Sequence, residues 1–62
     1  MATKLMSYYD SIGKEFGMQG RMKLAMLTKI ASKEASTVPD SPANLQVFEQ
    51  AVGQLRKELG RP

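Results

Sequence analysis

The side chains that could do chemistry are six carboxylates, nine cations, two tyrosines and five methionines, with no cysteine and no histidine. Without a thiol or an imidazole the chain has no thiolate zinc site, no cysteine nucleophile and no base poised near neutral pH. The acids Asp10, Glu15, Glu34, Asp40, Glu49 and Glu58 never fall three or four residues apart, so no helix face pairs two carboxylates for acid–base work. No enzymatic activity, metal or cofactor is expected.

Two apparent motifs dissolve on inspection. Gly13, Gly17 and Gly20 surround Lys14, but a phosphate-cradling loop needs a glycine where Tyr8 stands and a hydroxyl residue where Glu15 stands. Asp40, Ser41 and Asn44 offer oxygen donors without the alternating acids or distal glutamate of a calcium loop. Helix capping is their expected use.

What remains is a ridge. Met18, Met22, Met26 and Ile30 recur every four residues, which places them along one side of a helix. Methionine is unbranched, polarizable and suited to adaptable contacts. Tyr8, next to Tyr9 in sequence, is a further candidate anchor because it is large, rigid and amphipathic.

Three helices are expected to position these residues, spanning about 3–16, 19–36 and 42–59. In the first, Leu5, Tyr9, Ile12 and Phe16 form one seam, with Thr3 as candidate N-cap and Gly17 as the left-handed stop. In the third, Ser41 caps and Pro42 opens a helix whose Leu45, Phe48, Val52, Leu55 and Leu59 share a face, and Gly60 ends it. In the second, Leu24, Leu27, Ala31 and Ala35 form one stripe, and the methionine ridge lies about 145° around the axis from it. A helix apolar on two sides has two neighbours.

The fold class is therefore all-α: a small three-helix bundle, or a helical hairpin with an extra N-terminal helix, forming a single domain over residues 1–62. A chain of 62 residues buries only about 60% of the surface its unfolded form exposes, so completion by homo-oligomerisation is expected. A dimer through the second helix and the Leu5, Tyr9, Ile12 and Phe16 seam is the leading arrangement. No stretch approaches the roughly 20 apolar residues of a membrane span, and a cytoplasmic location is expected.

Charge points to the same segment. Residues 1–17 and 39–62 are each balanced, while Arg21, Lys23, Lys29 and Lys33 oppose only Glu34 and carry the whole net charge of +3. If residues 19–36 are helical, these four form a basic rim beside the methionines. The expected function is protein–protein interaction, as a regulatory adaptor or a small subunit of a larger assembly. Besides a second copy, an acidic amphipathic protein helix is a candidate partner of this rim.

Nucleic acid is the rival partner, held through the basic face and weakened by salt. Residues 24–38 overlap the apolar spacing of a helix-turn-helix, but Lys29 stands at the usual turn glycine and Pro39 would cut the recognition helix short.

Overall fold

Pro42 needs no partner for an N–H it lacks, and Ser41 before it, at φ −71° and ψ 155°, accepts a hydrogen bond from the Asn44 backbone N–H at 3.2 Å. From this cap runs a helix over Pro42–Glu58, closed by Gly60 at φ 77°. In the computed structural model, which describes residues 4–60, it is the second of two helices, α1 being Lys4–Thr28 and α2 Pro42–Glu58. The protein is all-helical, the two helices pack on each other, and no strand occurs among the described residues.

α1 is not one rod. Twenty-five residues of straight helix would run about 37 Å, yet the longest dimension of the molecule is 30 Å. The break is Gly17, whose φ of 73° and ψ of −156° lie in a region essentially confined to glycine. There the chain doubles back, and the arm 18–28 lies along the arm 4–16. A Cβ built on Gly13 would stand 2.9 Å from Cδ of Arg21. One on Gly20 would stand 2.5 Å from Cβ of Phe16 and 2.9 Å from Cγ2 of Ile12. The bare backbones of these two glycines let the arms meet.

The C-terminal arm stops at Thr28, eight residues before the position expected from sequence. The Thr28 hydroxyl donates to the Leu24 carbonyl at 2.8 Å and accepts from the Ile30 N–H at 3.2 Å. Lys29 takes a positive φ of 62°, and the Tyr9 hydroxyl donates to the Ile30 carbonyl. Side-chain and long-range partners thus take the backbone groups that another helical turn would use. Residues 32–37 are turns.

The core draws on every segment: Leu5, Tyr9 and Ile12 from the first arm, Leu24 from the second, Ala35 from the turns, and Phe48, Ala51 and Leu55 from α2. The Phe48 ring is its hub, tilted against Tyr8 at a centroid distance of 5.6 Å and edge-on to Tyr9 at 5.9 Å. Phe16 is half-buried at its margin. The first-helix seam is therefore packed inside the chain.

Both arms are tied to the last turns of α2. Arg56 forms a forked pair with Glu15, with N–O distances of 3.0 and 3.2 Å. Lys23 meets Glu58 at 2.7 Å. At the opposite end the Asp40 carboxylate accepts from the backbone N–H of Lys4, the first residue of α1, at 3.1 Å, supplying negative charge at a helix N-terminus. The candidate cap Thr3 lies outside the described residues.

Candidate functional site

Helical spacing from Gly17 onward puts Leu24 and Thr28 on the inner side of the second arm, where both are buried. The same spacing puts Met18, Met22 and Met26 outside, with 68, 60 and 70% of their surface exposed. These three and Val47 are the exposed large apolar residues among those described. The methionines thus do not fill a loose core. They form an open row on one face, which is unusual for apolar side chains in a small chain.

The row is bounded on both sides by shallow grooves. Toward the first arm, Met18 and Met22 join Tyr9, Arg21, Ala25 and Ser32. Toward α2, Met22 and Met26 join Gln19, Lys23, Glu58 and Leu59. Ile30, the fourth member of the expected ridge, does not continue it. The helix has ended, and Ile30 packs against the core from outside α1.

The basic rim is dispersed. Lys23 flanks the methionines, but its ammonium is neutralised by Glu58. That contact, with a hydrogen bond from Gln54 at 2.9 Å, holds the Glu58 carboxyl below its usual range. Arg21 lies over Gly13 and donates to the Ser32 hydroxyl at 2.9 Å. Lys29 sits beyond the helix end at positive φ, and Lys33 is exposed in the turn segment. Because residues 29–36 are not helical, the four cations do not share a helix face, contrary to the expectation from spacing. A recognition helix is missing for the same reason.

Tyr8 also stands apart from the methionines. It is half-buried against Phe48 and borders a concavity with Lys4, Ser7 and Ser11. Burial, and then the Glu49 carboxylate, push its hydroxyl pKa up. Tyr9 is likewise raised, chiefly by burial.

Sequence reasoning missed Glu58, Leu59 and Ser32 as neighbours of the ridge. Glu58 and Leu59 come from the end of α2, distant in sequence, and Ser32 reaches the row only because the chain leaves the helix after Thr28. Among the described residues no group of three or more acids, histidines or cysteines could hold a metal ion, and no helix is long and apolar enough to cross a membrane. Comparison with protein-family models, curated proteins and solved structures finds no match to this chain.

Proposed function

We propose that this protein is a non-catalytic interaction module that self-associates through the Met18, Met22 and Met26 row, serving as a small subunit of a larger assembly. The observation that carries the reading is the exposure of those three side chains, between 60 and 70%, while the other apolar stripes are turned inward. In a two-fold pairing centred on Met22, Met18 of one copy meets Met26 of the other, and the row is self-complementary. The flexible thioether chains adapt to one another without fixed pockets.

Charge favours a second copy over an acidic helix. The α2 side of the row ends in the Lys23–Glu58 pair, which is neutral, and Arg21 is engaged with Ser32. The charges of Arg21 and Lys14 lie only on the first-arm side of the row, so no cationic border encloses the methionines on both sides to select an acidic partner. The nucleic-acid reading draws no support either, since it needs Lys23, Lys29 and Lys33 on one surface. Three methionines are a small patch beside the roughly 800 Å² per partner of a standard interface, so the association is expected to be weak and dependent on concentration.

Sedimentation equilibrium up to high micromolar concentration tests this. A monomer–dimer equilibrium is expected for the native chain, and Met22→Glu, which sets two like charges together at the two-fold, is expected to give a folded monomer with unchanged helicity. A native chain that stays monomeric throughout, or a Met22→Glu variant that dimerises equally well, overturns the proposal.

A further inference from the structure

We infer that the Met18, Met22 and Met26 row is an oxidation-controlled surface: peroxide converts its thioethers to sulfoxides, and the row then no longer holds a second copy. The inference rests on the self-association proposed above and adds its regulation. The chain contains no cysteine, so no thiolate competes for the oxidant, and the thioethers are its softest nucleophiles. In the step itself a sulfur lone pair attacks one peroxide oxygen, an S–O bond forms as the O–O bond breaks, and water leaves. The sulfur is oxidised and the peroxide is reduced.

Burial separates these three methionines from Met6. Met18, Met22 and Met26 are largely exposed on the arm 18–28, whereas Met6 packs against the core from the first arm. Peroxide therefore reaches the three side chains of the row directly from solvent and reaches Met6 less readily. Pairing covers the row, so the free chain is the form that is oxidised. An association held by only three side chains per copy is weak enough to keep free chain in supply.

One added oxygen per side chain inverts what the row offers. The thioether is apolar and adapts to its counterpart, while the sulfoxide is polar. In the two-fold pairing centred on Met22, each sulfoxide faces another methionine side chain, which has no N–H or O–H to donate. Burying that oxygen without a donor opposes association. A sulfoxide that turns instead toward water, or toward Arg21 and Lys23 at the borders, has left the apolar contact. The fold is spared, because none of the three side chains belongs to the core and Leu24 and Thr28 hold the inner side of the arm. Leucine would make the row equally apolar but has no sulfur to oxidise.

The full chain is treated with hydrogen peroxide at neutral pH. Peptide mass spectrometry reads the sulfoxide at each methionine, while sedimentation equilibrium and circular dichroism follow association and helicity. Met18, Met22 and Met26 are expected to gain oxygen severalfold faster than Met6, with helicity unchanged and the dimer weakened by about tenfold or more. Reduction by methionine sulfoxide reductases acting on both sulfoxide epimers is expected to restore it. The M18L/M22L/M26L variant is expected to associate as the native chain does and to be indifferent to peroxide. Four results overturn the switch and leave self-association standing: oxidised native chain that dimerises as before, helicity lost together with the dimer, Met6 reacting as fast as the row, or an M18L/M22L/M26L variant that peroxide also dissociates. A native chain that is monomeric before any peroxide is added overturns self-association, and the switch with it.

Discussion

At the scale of single residues, the glycines carry the most information, and they divide by what a side chain would meet. Gly20 is buried where the two arms of α1 cross, and an added Cβ would fall within 3.0 Å of both Phe16 and Ile12. Phe16 and Ile12 could relieve this only by shifting the arms, because the closest atom is the Phe16 Cβ, next to the backbone. Gly53 is the opposite case: it lies inside α2, exposed, and a methyl group added there would meet nothing within 4 Å. Gly20→Ala is therefore expected to destabilise by about 1–3 kcal/mol through overpacking. Gly53→Ala is expected to stabilise by about 0.5–1 kcal/mol by restricting the unfolded chain. Chemical denaturation of the two variants beside the native chain checks both signs. A neutral Gly20→Ala would mean that the arms do not cross where Gly20 sits.

At the scale of elements, the same glycines show what the sequence could reveal. The break at Gly17 and the Ser41–Pro42 start of α2 are written in local chemistry, a residue free to take positive φ and a hydroxyl before an imino acid, and both are legible without coordinates. The end of α1 is not. Ala31 and Ala35 keep helical spacing from Leu24 and Leu27, and Ala35 is indeed buried, but from a turn. What stops the helix is a tertiary bond from Tyr9 to Ile30, 21 residues apart, and no window of sequence displays it. The dispersal of the basic rim follows from that one misplaced boundary, since Lys29 and Lys33 leave the face once the helix ends. The methionine row survives because it lies wholly on the near side of Thr28.

The Tyr9 bond also has a pH signature. Burial raises the Tyr9 pKa above its ordinary value, so the folded chain holds this proton more tightly than the unfolded one. The resulting stability is fully present below the unfolded pKa near 10 and is lost as pH rises through the higher folded value. Tyr9→Phe is expected to cost about 0.5–1.5 kcal/mol at neutral pH. The variant is also expected to flatten the alkaline limb of stability against pH, leaving the part due to Tyr8, whose pKa is raised as well. Urea unfolding from pH 7 to 11 reads both effects. An unchanged alkaline limb would show that Tyr9 is not the buried phenol.

At the scale of the whole molecule, the fold closes in cis with a core of eight buried apolar residues and still leaves one apolar row outside. The bundle is thus not incomplete in the sense that shortness alone suggests: the seam of the first arm, the inner side of the second and the face of α2 satisfy one another, and Phe48 joins them. Apart from Val47, the excess among the described residues lies at residues 18–26, and burying it against a second copy would add stability only when copies are concentrated. Linkage turns this into a thermal test, because a dimer that binds folded chain alone raises the melting temperature as protein concentration rises. The native chain is expected to melt several degrees higher at high than at low micromolar concentration, since a domain of this size moves by about 4–8 °C for each kcal/mol. Met22→Glu is expected to melt at one temperature throughout. M18L/M22L/M26L is expected to retain the concentration dependence, since leucine keeps the row apolar. Calorimetry over a hundredfold range of concentration separates the three chains, and a native melting temperature that does not move would place the methionine row outside any self-contact.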